Sequence, residues 1–211
     1  SKPKPAYAYV PYGIPYEGSD TDFRTTVGDL ITEDVEQAKQ LLADAGYPNG
    51  EGLPVLTLMV TNSQENKDTA QVIQAMWKEN LGVQTEIETY EDKVYWDEHA
   101  AGNFDVAYDG WTGDYLDPDT NLNCFTQARV FDENRWSGDK ALEYDSMIEE
   151  CRNLTDNSQR MEIFTEAEKL LMEEMPIMPL YFRNTQLLVK PTVSGLEKNV
   201  LGHTMFVHAS K

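Results

Sequence analysis

The sequence predicts an α/β fold in which a mixed, mostly parallel sheet is flanked by helices. Segments with the character of strands alternate along the chain with segments in which apolar residues recur at helical spacing. The predicted order is a strand over 53–61, a helix over 68–81, a strand over 83–89, a helix over 93–101 and a strand over 104–108. Strands separated by helices usually lie parallel in one sheet, with the helices on its faces.

A further amphipathic helix is predicted before the first strand, over 34–45. Asp34 suits its N-cap, because an aspartate there can accept a hydrogen bond from the first turn, and Gly46 suits its end. The residues expected on the buried faces of this helix and of the helix over 68–81 are Val35, Ala38, Leu41, Leu42 and Ala45, and then Val72, Ile73, Met76 and Trp77.

Glycines mark the ends of the two helices that follow, at Gly82 and Gly102. The strand over 83–89 alternates between apolar or β-branched residues and the polar residues Gln84, Glu86 and Glu88, as a half-buried strand does.

The second half of the chain is more helical, with helices predicted over 139–154 and 158–175. Their expected inward residues are Leu142, Met147, Ile148 and Cys151, and then Met161, Phe164, Ala167, Leu171 and Met175. Two more strands are predicted over 176–182 and 186–190, joined by a turn at Arg183 and Asn184. The apolar stripes of the two helices predict core packing, not a cofactor site.

Composition limits the classes of function. A chain of 211 residues with 40% hydrophobic residues and four tryptophans can bury the core of one domain or one large lobe. The 37 acidic and 17 basic residues give a net charge of -20, which disfavours a nucleic-acid partner, because such binding replaces phosphate counterions with basic side chains. The acidic surface favours solubility first, and second the steering of cationic ligands or of a basic partner surface.

Cys124 and Cys151 are the only cysteines. Without a neighbouring cluster of cysteines and histidines they predict no zinc site. A disulfide between them and two unpaired buried thiols are both compatible with the sequence.

The segment from Tyr108 to Tyr115, YDGWTGDY, carries the strongest signal of a site. It follows a predicted strand and contains two glycines, an indole and two carboxylates. Such loops at the carboxyl ends of strands face ligand crevices in open α/β sheets, and glycine lets a backbone approach a ligand closely. Trp111 and Asp114 are therefore the first candidates for ligand contacts. The alternative is an ordinary turn that carries one core tryptophan.

This loop, extended as YDGWTGDYLDP, resembles the corresponding loop of the family 5 (cluster C) extracytoplasmic solute-binding proteins, the oligopeptide and dipeptide receptors of ABC importers. Further stretches that begin at Asp34, Ala70 and Ala167 agree with that family in the same order. The resemblance implies a lobe of the type II periplasmic-binding-protein fold.

The same resemblance implies that the chain is a fragment of a larger, two-lobed protein. Residues 34–211 would be the C-terminal substrate-binding lobe, and residues 1–33 an N-terminal extended segment or linker whose Pro-rich first five residues do not pack. The implied partners are a peptide ligand, the ABC permease subunits and the missing N-terminal lobe. The implied location is extracytoplasmic, in a periplasm or as a cell-surface lipoprotein, and no leader segment is expected within this chain.

In the family, an aspartate at the position of Asp114 pairs with the α-ammonium group of the peptide, and Trp111 would form the wall of a side-chain pocket. The resemblance places Tyr108, Asp109, Gly110 and Thr112 in the same site, with no cofactor and no metal.

Two of these residues depart from the family pattern. Several oligopeptide binders carry a basic residue where this chain has Tyr108, so a salt bridge to a ligand carboxylate is not expected there. Asp109 replaces a small residue and adds negative charge, which favours a cationic peptide.

Three alternatives stand beside the peptide reading. Relatives of this kind also carry nickel complexes, haem or oligosaccharides. Asp109 and Asp114 form the type of carboxylate pair that a glycoside hydrolase uses, but the sequence has no established catalytic motif. Asp117, Asp119 and Asn121 have the spacing of the first calcium ligands in an EF-hand, but the glycine and the bidentate glutamate of that loop are missing.

Overall fold

The structure is a computed structural model, and it describes residues 3–127, 136–184, 187–199 and 201–211. The chain divides into two compact units. We call Glu33–Gly110 the continuous unit, and Ser1–Thr32 together with Trp111–Lys211 the discontinuous unit.

The continuous unit contains a parallel three-stranded sheet. Its strands are β2 (Leu56–Thr61), β3 (Thr85–Tyr90) and β4 (Val106–Ala107), in the order β3-β2-β4. Leu58 lies in register with Ile87 on one side and with Val106 on the other, and both pairings are parallel. The predicted α/β class with a mostly parallel sheet is confirmed.

Three helices belong to this unit: α2 (Val35–Asp44), α3 (Gln64–Leu81) and α4 (Asp92–Ala101). A short 3-10 turn, Pro48–Gly50, lies between α2 and β2. Both α3 and α4 end at glycines in the left-handed conformation, Gly82 (φ 72°) and Gly102 (φ 71°), as predicted.

The N-caps explain where the helices begin. The Asp34 side chain accepts a hydrogen bond from the Gln37 backbone N–H, which confirms the predicted cap of α2. α3 begins four residues before the predicted position 68, because the Ser63 side chain caps it through the Asn66 N–H. The first residues of α3 are polar, so apolar spacing could not indicate that start.

The core of the continuous unit is formed by β2, α3 and α4. Leu58, Met59 and Val60 of β2 are buried, as are Ile73 and Tyr95. Several predicted inward residues are instead exposed, namely Val35, Leu41, Val72 and Met76. The buried stripe of α3 follows Ala70 and Ile73, and Val72 and Met76 lie beside that stripe.

The discontinuous unit is built around α6 (Asp139–Asn153) and α7 (Asn157–Glu174), which pack against each other. α5 (Asp119–Leu122) and a 3-10 turn at Asn123–Phe125 precede them. The buried core cluster comprises Val10, Ile14, Phe23, Leu122, Phe125, Tyr144, Ile148, Cys151, Met161, Phe164, Ala167, Leu170, Leu171 and Met172. Leu142 and Met175, predicted to face inward, are exposed, and Met175 adopts a left-handed conformation (φ 51°) as the C-cap of α7.

The N-terminal segment is not a linker, although the sequence predicts one over 1–33. Val10, Ile14 and Phe23 lie in the core cluster, and α1 (Phe23–Val27) forms within the segment. Even its Pro-rich start is paired, because β1 (Lys4–Pro5) forms an antiparallel bridge with β5 (Tyr181–Phe182). These apolar residues have no helical or strand period, so their burial follows from contacts with residues far along the chain.

A buried ion pair joins this segment to α7. Arg24 Nη1 lies 2.7 Å from Glu168 Oε1, and both side chains are buried. The same Glu168 oxygen accepts hydrogen bonds from the backbone N–H groups of Tyr9 and Val10, at 3.0 and 2.7 Å. Burial raises the pKa of Glu168, and Arg24 and the two N–H groups oppose that rise.

The C-terminal segment has less regular structure than predicted. In the region predicted as a strand over 176–182, only Tyr181–Phe182 is a strand. Residues 187–190 form no strand, and Gln186 lies outside the described residues. Leu188 is fully exposed, so an apolar run alone is not sufficient to form a strand there. A short antiparallel pair, β6 (Glu197–Lys198) and β7 (Thr204–Met205), follows.

Candidate functional site

The predicted binding loop crosses the boundary between the two units. Tyr108, Asp109 and Gly110 belong to the continuous unit, whereas Trp111, Thr112 and Asp114 belong to the discontinuous unit. Each half of the loop is held by its own unit, through different contacts.

In the continuous unit, the loop leaves the sheet at Tyr108. The Tyr108 N–H donates to the Met59 carbonyl of β2 at 2.9 Å, and its own carbonyl accepts a hydrogen bond from the Tyr95 hydroxyl at 2.9 Å. Tyr108 is nearly buried, so its side chain is part of the core of this unit. Asp109 and Gly110 are exposed, and the Gly110 N–H donates to Asp109 Oδ1 at 2.6 Å.

An aromatic cluster lies close to this half of the loop in sequence. The His99 ring packs against Tyr95, Trp96 and Phe104, with ring centroids 5.7, 5.6 and 4.9 Å apart. Burial lowers the pKa of His99, although the Asp109 carboxylate opposes that shift. His99 is therefore a buried ring, packed among aromatic side chains, that is neutral at pH 7.

In the discontinuous unit, Thr120 of α5 holds the other half of the loop. Trp111 Nε1 donates to the Thr120 carbonyl at 2.8 Å, and the Asp114 N–H donates to the Thr120 hydroxyl at 2.8 Å. Thr120 is 1% exposed, whereas Trp111 is 41% exposed. Thr112 and Asp114 are also exposed, and the Asp114 carboxylate has no hydrogen-bond or ion-pair partner among the described residues.

Two arginines anchor the segment that follows the loop. Arg160 of α7 contacts both oxygens of Asp117, at 3.0 and 3.1 Å, and Arg152 Nε of α6 contacts Asp119 Oδ1 at 3.1 Å. The Tyr115 hydroxyl donates to Asp119 Oδ2 at 2.6 Å. These charged hydrogen bonds attach the site to the two central helices of the unit.

The ionisation of this cluster follows from its contacts. Burial acts to raise the pKa of Asp119, but the hydrogen bonds from Tyr115, Asn123 and Arg152 outweigh it and the pKa is lowered. Burial and the hydrogen bond to Asp119 raise the pKa of Tyr115 to about 12. At neutral pH Asp119 is therefore ionised and Tyr115 keeps its proton.

The same contacts bear on the calcium alternative. The carboxylates of Asp117 and Asp119 are paired with arginines, which leaves them poorly suited to a cation. In the parts of the chain that the structure describes, no group of three or more His, Cys, Asp or Glu side chains could hold a metal ion.

No disulfide joins Cys124 to Cys151, so the disulfide alternative is not observed, and Cys124 is only partly buried. Cys151 is fully buried, and burial raises the pKa of its thiol to about 12. Its environment is that of an unreactive core residue, not of a nucleophile.

The sequence selected Trp111 and Asp114 as candidate site residues but gave no sign of the residues that hold them. Trp111 and Asp114 converge on Thr120, which the sequence gave no reason to select. α5 has only four residues, too few for a periodic signal, and Tyr95, Arg152 and Arg160 are distant in sequence from the residues they hold. The one local signal of these supports was the acidic pair Asp117 and Asp119, because two close carboxylates favour contacts with basic side chains.

One further observation concerns membranes. Across the described ranges of the chain, no helix combines the length and the apolar character needed to cross a bilayer.

Comparison with known proteins gives consistent results. Residues 1–132 match the family model described as bacterial extracellular solute-binding proteins, family 5 Middle. The chain is 32% identical over 209 residues to the dipeptide-binding protein DppE of Bacillus subtilis, covering 99% of this chain and 38% of that protein. It is 33% identical over 192 residues to the periplasmic oligopeptide-binding protein OppA of Escherichia coli, covering 90% of this chain and 34% of that protein.

Solved structures agree in fold. The murein tripeptide binding protein MppA of Escherichia coli matches 92% of this chain and 37% of its own, with a TM-score of 0.76 and 31% identity. A periplasmic oligopeptide-binding protein of Borrelia burgdorferi matches 83% of this chain and 33% of its own, with a TM-score of 0.69 and 32% identity. The chain thus spans little more than a third of the length of these relatives. It belongs to the bacterial extracellular solute-binding proteins, family 5, and has their type II periplasmic-binding-protein fold.

Proposed function

We propose that this chain is a ligand-binding lobe of a peptide receptor that serves an ABC importer outside the cytoplasm. In this proposal the chain is part of a longer polypeptide, and a second lobe closes with it on the peptide. The receptor then delivers the peptide to the permease subunits without chemical change. The peptide class is favoured because relatives that match most of this chain are named for dipeptide and oligopeptide binding.

The observation that carries the proposal is that Trp111 and Asp114 are fixed by hydrogen bonds to Thr120 while their ligand-facing groups stay exposed. The indole N–H is already bonded to protein, so the exposed part of Trp111 offers an apolar surface of fixed orientation. The Asp114 backbone is bonded as well, while its carboxylate is exposed and has no partner among the described residues. Asp114 therefore has a fixed backbone and an exposed carboxylate, an arrangement suited to binding a cationic group of a ligand.

The cation that all peptides share is the α-ammonium group. A carboxylate that receives it can bind peptides of any side-chain sequence, and the neighbouring indole can pack against the first side chains. Closure of a second lobe would remove water from the pair and strengthen it. The negative charge of Asp109 and the net charge of -20 lead us to propose a preference for cationic peptides.

The test is Asp114→Asn in the full-length polypeptide that carries these 211 residues. Because a hydrogen bond to a charged group contributes about 1.5–3 kcal/mol, we expect about a 10- to 100-fold loss of affinity for peptides with a free amino group. N-acetylated peptides should bind the variant and the parent equally. Isothermal titration calorimetry with tripeptides that contain Lys or Glu measures both this effect and the charge preference.

Glu162→Gln is the matched control, because Glu162 is exposed on α7 and the substitution changes the net charge equally without touching the loop. Equal affinities for free and acetylated peptides in the parent protein would contradict the ammonium contact of Asp114. No binding of either peptide would contradict the peptide role and favour a non-peptide solute. Tighter binding of the Glu peptide than of the Lys peptide would contradict the cationic preference alone.

A further inference from the structure

We propose that Thr120 is the positioning residue of the site and that its hydroxyl group fixes Asp114 for recognition of the ligand ammonium. This inference rests on the proposed function and names the residue on which its geometry depends. Thr120 touches no ligand in this scheme. It acts through the two residues that do.

First, one residue, Thr120, holds both of the residues proposed to contact the ligand, Trp111 and Asp114. The Thr120 carbonyl accepts the indole N–H of Trp111, and the Thr120 hydroxyl accepts the backbone N–H of Asp114, each at 2.8 Å. The relative placement of the indole and the carboxylate in this unit is therefore set by a single side chain and its own carbonyl.

The second step is that Thr120 itself is fixed. All four residues of α5 are buried. Asp119 is paired with Arg152 on one side of Thr120. Farther along, the Leu122 carbonyl accepts a hydrogen bond from the buried Tyr144 hydroxyl at 2.7 Å. A support that is locked by packing and hydrogen bonds is what holds a binding residue in its productive geometry.

The third step is steric. A Cβ atom added at Gly113 would lie 2.8 Å from Thr120 Cγ2, which is closer than real Cβ contacts. A threonine has a stiff χ1 and cannot move its methyl group away cheaply. Gly113 is therefore required by the methyl group of Thr120, and the pair fixes the path of the loop between Trp111 and Asp114.

The expected consequence is preorganisation. If the hydroxyl group is removed, the Asp114 N–H loses its acceptor and the carboxylate must be ordered by the ligand, which lowers the affinity. Only ligands that use Asp114 should be affected. Ligands without a free amino group should not be.

The experiment compares Thr120→Val, which keeps the shape but loses the hydroxyl group, with Thr120→Ser, which keeps the hydroxyl group. In the full-length polypeptide we expect Thr120→Val to weaken binding of a free-amino tripeptide about 5- to 10-fold, which is about 1 kcal/mol and typical of one hydrogen bond. Binding of the N-acetylated tripeptide should stay within twofold, and Thr120→Ser should stay within twofold for both peptides. Equal losses for both peptides, or no loss for either, would overturn the proposal.

A readout without ligand separates this proposal from the proposed function. Amide hydrogen exchange at Asp114 should be faster in Thr120→Val than in the parent and unchanged in Thr120→Ser. If exchange is unchanged in Thr120→Val, the positioning role is wrong whatever the ligand is. If Asp114→Asn weakens binding of the free-amino peptide but not of the acetylated peptide, while Thr120→Val weakens neither or both equally, only the role of Thr120 is contradicted.

The steric step has its own test. Gly113→Ala should weaken binding of the free-amino tripeptide, because the loop must shift away from Thr120 Cγ2. The double variant Gly113→Ala with Thr120→Ser removes that methyl group and should recover most of the affinity. A double variant as weak as Gly113→Ala alone would contradict the steric coupling.

Discussion

The continuous unit and the discontinuous unit reach a buried core by different routes. In the continuous unit, neighbouring elements in sequence are neighbours in the sheet or pack on it, and β2 pairs with both β3 and β4. In the discontinuous unit, residues near the start of the chain pack with helices more than 100 residues later. Local patterns therefore predict the elements of the continuous unit and the two long helices of the discontinuous unit, but not the packing of the start of the chain against those helices.

The two units also differ in the contacts that close them. The continuous unit relies on parallel backbone pairing and on apolar residues of β2. The discontinuous unit relies on an apolar core and also on charged groups. These are the buried pair of Arg24 with Glu168 and the arginine contacts of Asp117 and Asp119. Removal of one partner of a buried charge pair is strongly destabilising, so the discontinuous unit should be the more sensitive to single polar substitutions at its buried charged groups.

Glu168→Gln is expected to have the largest effect on that comparison. It keeps the shape of the side chain but leaves the Arg24 guanidinium buried without a counter-charge, which costs about 3–5 kcal/mol of unfolding free energy. Denaturant unfolding measures the loss, and hydrogen exchange in α6 and α7 locates it.

The matched control is Glu166→Gln, two residues away on the same helix. Glu166 pairs with Lys169 at 2.7 Å, but both side chains are at least half exposed, so the loss should stay below about 1 kcal/mol. Equal and small losses in the two variants would mean that the buried pair contributes little to the discontinuous unit.

Asp119→Asn should have an intermediate effect of about 1–2 kcal/mol at neutral pH, because it weakens the hydrogen bonds from Tyr115 and Arg152. The sign of its pH dependence is fixed by the lowered pKa. In the folded state the pKa of Asp119 lies below its ordinary value of 3.8, because burial, which raises it, is outweighed by the hydrogen bonds that favour the ionised carboxylate. The stabilisation is therefore fully present above pH 3.8 and is lost as the pH falls through the folded pKa.

Thermal unfolding of the parent and of Asp119→Asn from about pH 2 to pH 7 checks this. The two stability curves should converge on the acid side. A gap that stays constant through the acid range would assign the effect to packing and not to the charge.

Tyr95→Phe should have a smaller effect than Glu168→Gln or Asp119→Asn, and it reports on the continuous unit. The change removes the hydrogen bond to the Tyr108 carbonyl while keeping the buried ring, so we expect a loss of about 1 kcal/mol. Amide exchange at Asp109 and Gly110 should become faster, because the base of the loop is less constrained.

Tyr90→Phe provides the comparison within the same unit. The Tyr90 hydroxyl donates to Glu88 at 2.7 Å near the surface, so its removal should change stability less than the removal of the Tyr95 hydroxyl. A larger loss of stability for Tyr90→Phe than for Tyr95→Phe would show that burial does not determine how much each hydroxyl group contributes to stability.

The success of the sequence predictions depends on how far apart in sequence the interacting residues lie. The cap at Asp34, the helix ends at Gly82 and Gly102 and the parallel pairing of the sheet were predicted, because each follows from local residue patterns along the chain. The interpretation of 1–33 as a linker was wrong, because nothing local signals that Val10 and Phe23 enter a core made mainly by later helices.

The apolar faces show a second limit. Spacing predicted buried positions for Val72, Met76 and Leu142, yet all three are exposed. Helical periodicity gives the angle between residues on a helix, but it does not say which sector of the helix meets the rest of the protein.

The sequence by itself determined the family, the fold class and the loop that carries Trp111 and Asp114, because these depend on residue identity and short-range spacing. The tertiary structure alone decided that Thr120 holds both residues, that Arg152 and Arg160 hold the segment beyond them, and that the start of the chain belongs to the core. The physical reason is that hydrogen bonds and ion pairs act over a few ångströms in space, and the chain brings such partners together from positions that are between six and more than one hundred residues apart.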